Sequence, residues 1–340
     1  MEFFFATSLR ATEGKLRMCA ATIRKVLLTG GFRFGGVHAF AQALAHGFEI
    51  LGYTSEVISP FAIFRRWHDL RDPAVLKILG TQALFAAPFA RRAICVVHGF
   101  PRPDAQGWLK TITKLILFKV INRLPSCRLV AVSHYVAVHL KCVNLRIDAV
   151  IHNPVQEAFL QPWQEQGERH YLTYVGRLIF AKNVHQLLPA MLQMLNYDPQ
   201  LRIYIVGEGP QKKELEAIAQ GNPRVKFTGN LDSNAVIDVL QKTRVFVSGN
   251  EMEAFGITYL EALSQGCTVV MPACGGGLEM ALKEIGHRIY LLPLSFDVEA
   301  IVAVLQQALN VENKPYDMFA YRDYNVAAKY LQLANNFSIF

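Results

Sequence analysis

NEMEAFGITYLEALSQG, residues Asn250 to Gly266, sets two carboxylates, a glycine turn and a helix start within seventeen positions. Upstream, Val245 to Val247 is a short apolar run that reads as a buried strand, while Thr258 to Ser264 continues in good helix formers. Glu253 therefore falls in a strand-to-helix loop and Glu261 inside the helix. In a parallel α/β sheet such loops lie at the carboxyl ends of strands, where ligands bind, and the amides opening the helix favour a phosphate oxygen. Two acids beside a diphosphate would repel it, so the workable assignment gives each carboxylate hydroxyls to hold: Glu261 those of a ribose, Glu253 those of a sugar. Alone, this pair reads more simply as an exposed helix residue and a loop charge. The rest of the chain decides between the two.

With 340 residues, 52% of them hydrophobic and 18% charged, the chain has apolar mass for two cores, so two domains are expected. No apolar run approaches the roughly 20 residues that cross a bilayer. Met1 to Phe5 is apolar, but Glu2 and the polar residues that follow do not match a secretory signal. Residues 1–23 are read as a leader of unknown role, with Met18 also preceding the first strand. The six cysteines form no CxxC pair, which fits reduced thiols in the cytoplasm. Residues 1–165 hold 20 Lys+Arg against 10 Asp+Glu, and the remainder 15 against 17. A first half this basic suits an anionic partner, such as the inner membrane surface or an acidic acceptor. Nucleic acid fits least, since no helix-turn-helix, zinc-finger or RNA-binding signature accompanies the charge.

Lys25 to Leu28 reads as the first strand and TGGFRFGG (Thr29 to Gly36) as a turn feeding a helix whose apolar positions are Val37, Ala41, Leu44, Phe48 and Leu51. Gly35 and Gly36 carry no Cβ to keep a phosphate from the helix amides. The turn is neither GxGxxG nor a P-loop, which weighs against a dinucleotide oxidoreductase and an NTPase. Further strands are expected at Glu56 to Ser59, Ala93 to Val97, Leu129 to Val132 and Asp148 to Ile151, with a basic aromatic segment, Pro60 to Pro73, that fits neither helix nor strand. His98 follows a strand and precedes Gly99, a position where ligands bind and a core role is difficult. Trp108 to Leu124 is helical and basic: either a packed surface helix or a membrane-surface one.

The first domain closes at residue 153, and 154–168 reads as a linker. From Tyr171 strands and helices alternate to Val298 to Leu309, the pattern of a second parallel sheet spanning 169–320, and residues 321–340 read as a helix able to cross back. Gly176-Arg177-Leu178 follows the first strand of this half, and Lys182 comes six residues after the glycine. A planar donor fork beside a mobile point charge suits a diphosphate leaving group. Val206-Gly207-Glu208-Gly209-Pro210 is a second strand-end turn, suited to a flat base against backbone.

At this point the sequence resembles retaining glycosyltransferase family 4. The matching features are GRLIFAKN (Gly176 to Asn183), VGEGP (Val206 to Pro210), VKFTGNL (Val225 to Leu231), EAFGITYLEALSQG (Glu253 to Gly266) and GGGLE (Gly275 to Glu279), in family order; GGV (Gly35 to Val37) and HGFP (His98 to Pro101) are less distinctive. The resemblance implies the GT-B fold: two Rossmann-like doubly wound parallel-sheet domains facing a cleft, with 24–153 on the acceptor side and 169–320 binding the nucleotide sugar. It implies that Arg177 and Lys182 bind the donor diphosphate, that Glu261 holds the ribose, and that Glu253 with the backbone of Phe255 and Gly256 holds the sugar. Ile257 and Thr258 would line the phosphates, with Gly35 and Gly36 below them, and His98 would act on the sugar from the first domain. Ala181 departs from the family, where an acid commonly precedes the lysine.

The activity implied is transfer of a sugar from a nucleotide diphosphate sugar to an acceptor hydroxyl with retention, in cell-surface polysaccharide or lipopolysaccharide synthesis, on a saccharide or lipid-linked acceptor. The absence of any DxD removes the usual reason to expect a metal, and no cofactor is expected. A glycoside hydrolase would leave the Arg177/Lys182 pair unexplained. A non-catalytic sugar-nucleotide-binding subunit is the other reading.

Overall fold

In a computed structural model, the structure describes residues 23–31, 36–101, 107–161, 167–282, 285, 287–293, 295–314, 316–335 and 337. Gly35, nearly all of the expected leader and part of the expected linker lie outside them. The chain forms two compact units: one runs to Gln156 and takes in the chain from Phe319 onward, and the other is Glu157–Met318.

The first unit holds β1 (Lys25–Thr29), β2 (Thr54–Ile58), β3 (Val75–Gly80), β4 (Ala93–Val97), β5 (Cys127–Ala131) and β6 (Ala149–Val150). All are parallel in the order β2-β1-β3-β4-β5-β6. Sheets covered on both faces need strands that are apolar throughout, and β3 and β4 are buried at every position. β3, next to β1, is the strand that sequence reading passes over, because Lys77 interrupts its apolar run. The side chain is nevertheless wholly buried. Its ammonium donates to the carbonyls of Asp72, Val75 and Arg91 at 2.5, 2.8 and 2.5 Å. The basic aromatic segment becomes a 3-10 stretch, Pro60–Arg66, and a short helix, Trp67–Arg71.

The helix Gly36–Ile50 buries more than the single stripe expected of it: Phe40, Ala43 and Ala45 are enclosed beside Ala41, Leu44 and Phe48. A second helix accounts for this, since Asp323–Asn335 packs along it. The approach is close enough that a Cβ on Gly47 would stand 2.4 Å from the Asp323 carbonyl, and His46 pairs with the Asp323 carboxylate beside it.

The second unit holds β7 (Tyr171–Val175), β8 (Arg202–Val206), β9 (Val225–Gly229), β10 (Thr243–Val247), β11 (Thr268–Pro272) and β12 (Ile289–Leu292), again all parallel. Their order is β12-β11-β10-β7-β8-β9. Strand order thus runs outward in both directions from the β7–β10 pair, which makes that pair the topological switch point. Helices on the two faces close a core built around Leu172, Tyr174, Met191, Ile203 and Leu305.

Candidate functional site

Loops that leave neighbouring strands in opposite directions part at a switch point, and a crevice opens at the carboxyl ends. In the second unit that crevice lies between the loop after β7, which carries Gly176, Arg177 and Lys182, and the loop after β10, which carries Glu253. Flanking loops are stitched to these by backbone. The amide of Leu178 donates to the Glu208 carbonyl at 2.9 Å, and that of Gly276 to the Glu253 carbonyl at 2.7 Å. Gly207 has φ +131°, and a Cβ there would stand 2.0 Å from the Gly176 carbonyl oxygen, so only glycine lets the β7 and β8 loops close. Glu208 turns outward to pair with Lys212 at 2.8 Å.

Lys182 and Glu253 meet across the crevice, Nζ to Oε2 at 3.2 Å. The same carboxylate oxygen accepts from Asn250 Nδ2 at 2.5 Å. Burial by itself would raise the Glu253 pKa. The charge of Lys182, the bonds from Asn250 and Lys182 and the Phe255 amide together outweigh it, and the carboxyl is held below its usual value. Asn183, in the left-handed conformation at φ +53°, donates from Nδ2 to the Gly249 carbonyl at 3.0 Å and to Glu251 at 3.2 Å, tying the two loops together.

Arg177 is exposed, and its guanidinium makes no ion pair among the described residues. Its carbonyl is fixed by the Tyr174 hydroxyl at 2.9 Å. Burial raises the pKa of that phenol; the charge of Glu253 adds to the rise and that of Arg177 opposes it.

The helix Ile257–Ser264 starts at Gly256, whose φ of +90° lies in the left-handed region and which offers no capping side chain. A Cβ there would strike the Tyr259 ring at 2.5 Å. The amides of Ile257 and Thr258 have no hydrogen-bond partner among the described residues, so the helix opens with donors suited to an anion. One turn on, Glu261 is buried with no partner for its carboxyl among the described residues, and burial pushes its pKa from 4.5 to about 7.

Lys182, Glu253, Phe255, Gly256, Ile257 and Thr258 are thus brought together, while Gly176 and Gly207 hold the β7 and β8 loops against each other. Among the described residues, no hydrogen bond or ion pair joins the Glu261 carboxyl or the Arg177 guanidinium to that group, although Glu261 lies one turn from Ile257 on the same helix. Sequence reading missed Asn250 and Asn183, the amides that hold the Lys182–Glu253 pair in place. An asparagine three residues before the glutamate, and another next to the lysine, were the available signals.

In the first unit, His98 follows β4 and Gly36 opens its helix, exposed and with nothing within 4 Å of a Cβ built on it. His98 is half-buried and is not one of the core residues, as expected. Its ring Nε2 is buried without a partner among the described residues, edge-on to Phe40 at 4.6 Å between centroids. Burial lowers its pKa to about 4, so the imidazole is neutral at pH 7. A cavity of about 590 Å³ in the second unit lies at the amino ends of β7 and β10, lined by His170, Arg244 and Lys314 with acids of opposite sign, away from the switch point.

The family model described as "Glycosyl transferases group 1" matches residues 155–325, just over half of the chain. Sulfoquinovosyl transferase SQD2 of Arabidopsis thaliana is 30% identical over 185 residues, 54% of this chain and 35% of that protein. The phosphatidylinositol N-acetylglucosaminyltransferase gpi3 subunit of Schizosaccharomyces pombe is 26% identical over 171 residues, 46% of this chain and 38% of that protein. The matched stretch spans little more than a third of the length of these relatives. Among solved structures, Anabaena Alr3699/HepE in complex with UDP and glucose superposes with a TM-score of 0.66 at 18% identity, over 93% of this chain and 95% of that one. That is a likeness of fold, and the fold is GT-B.

Proposed function

The chain belongs to the glycosyl transferases group 1 family, and on that premise we propose that it moves a sugar, with retention, from a nucleotide diphosphate sugar to an acceptor hydroxyl. The observation that carries the proposal is the Lys182–Glu253 pair at the switch point, beside the unpartnered amides of Ile257 and Thr258. Cation and amides neutralise the departing diphosphate, with Arg177 adding its guanidinium. Glu253 takes sugar hydroxyls, and Glu261 accepts from the ribose. Charge developing on the leaving oxygen is what these donors stabilise, so the acceleration comes from groups that bind the transition state more tightly than the substrate. The leaving oxygen takes the acceptor proton on the same face, and no protein nucleophile, metal or cofactor is called for. His98, neutral at pH 7, is a hydrogen-bond partner for a sugar hydroxyl.

For the acceptor we propose a saccharide or lipid-linked glycan of the cell surface, met at the cytoplasmic face of a membrane. The basic first half and a relative named for phosphatidylinositol support this reading. Thermal shift against a panel of nucleotide sugars identifies the donor, and turnover followed by the anomeric configuration of the product tests the reaction. Inversion would overturn retention. Tight donor binding without turnover would leave a sugar-nucleotide-binding subunit instead.

A further inference from the structure

The helix Trp108–Asn122 presents an apolar surface where solubility calls for a polar one. Its buried positions are Thr111, Phe118 and Ile121. On the opposite side Trp108 and Leu109 are 72% and 80% exposed, and Ile112, Ile116 and Val120 are exposed below them. At 100° per residue Lys119 and Arg123 fall on that same outward side. The helix packs against Thr81–Phe89, and a second exposed group flanks the same segment: Phe61, Phe64, Trp67 and Phe89, with Arg71 over the Trp67 ring at 5.8 Å. Between residues 73 and 147 the sequence has one acid, Asp104, against eleven Lys and Arg, ten without the buried Lys77.

Exposed apolar residues scattered singly need no explanation, but a contiguous set ringed by cations does. Tryptophan and phenylalanine settle at the headgroup level of a bilayer, and nearby lysine and arginine are drawn to its anionic lipids. A helix of 15 residues is too short to span the membrane but suited to lie in its surface. We propose that this outward face, together with the aromatic group beside it, docks the first unit onto an anionic lipid bilayer. The charge chooses this occupant over a second copy of the chain, since two such faces would repel each other. The proposal rests on the reading above only for its purpose, to bring a lipid-borne acceptor within reach.

Flotation of the full chain with phosphatidylcholine vesicles, with and without phosphatidylglycerol, tests it. Wild type is expected to float with the phosphatidylglycerol vesicles at low salt and to be released as salt rises. Ile112→Asp with Ile116→Asp should abolish flotation. Lys119→Gln with Arg123→Gln should weaken partition about 25-fold, about fivefold for each cation. All four side chains are exposed, so the melting temperature should hold. Equal flotation of wild type and variants, or none by wild type, overturns the proposal. So does a wild-type dimer in sedimentation that Ile112→Asp with Ile116→Asp converts to monomer, since the face would then be an interface between copies. Nucleotide-sugar binding measured in parallel separates the two readings. A wild type that binds donor but does not float sinks docking alone, and one that floats but does not bind donor sinks the transferase.

Discussion

Lys77 in the first unit and Glu261 in the second are both enclosed ionisable groups, and burial brings both to a pKa of about 7. Their surroundings differ. Three carbonyls saturate the Lys77 ammonium, whereas the Glu261 carboxyl has no partner among the described residues. A buried ion whose hydrogen bonds are complete has nothing left to offer and serves the fold. One left incomplete carries a desolvation cost that a ligand can relieve. Lys182 and Glu253 fall between these, satisfied by each other and by Asn250, yet still a quarter exposed.

Breaking that middle case should have the largest effect. Lys182→Ala is expected to cut turnover by about 100- to 1,000-fold, the scale of losing one donor to a developing oxyanion, with little change in melting temperature. Unchanged turnover would put the pair in the same class as Lys77. Glu261→Gln sharpens the contrast from the other side. The folded protein holds the Glu261 proton more tightly than the unfolded chain does. Its contribution to stability is therefore complete below pH 4.5, is lost as pH rises through about 7, and stays lost above. The amide should stabilise the ligand-free protein by about 3 kcal/mol at pH 8 and by nothing at pH 4, while weakening donor binding. Melting curves at the two pH values, with and without nucleotide sugar, check both halves.

Lys77 has the opposite slope. Its depressed pKa makes its cost full below about 7 and relieves it as pH climbs toward 10.5. Lys77→Met should flatten stability between pH 7 and 10.5 and, by stripping the carbonyls of their donor, destabilise the fold by about 1–3 kcal/mol at pH 9. Donor affinity should be unchanged. Arg177→Lys is the mildest test. A point charge replaces a fork, so neutralisation survives and geometry suffers, for a loss of about tenfold in kcat/KM.

How much of this was legible depended on whether a residue's local pattern agreed with its tertiary role. In the second unit it did: β7 and β8 are apolar but for Thr173 and the opening Arg202, and their ends carry glycines that permit backbone contact, so the switch-point loops could be named from the sequence. In the first unit β3 was hidden by Lys77, whose carbonyl partners come from Asp72, Val75 and Arg91 and only assemble on folding. The burial of the His98 ring nitrogen was hidden likewise, because Phe40, which packs against the ring, is 58 residues earlier. Asn250 was in view but unassigned, since an amide discloses its partner only through geometry.

The contact between Gly47 and Asp323 has a consequence for synthesis. The sheet of the first unit is covered by a helix that is translated only after the whole of the second unit. While the ribosome is still making the second unit, Phe40, Ala43 and Ala45 wait without their lid, so the first unit is the later one to finish folding. A nascent chain arrested before residue 319 should accordingly show protease resistance in its second half sooner than in its first.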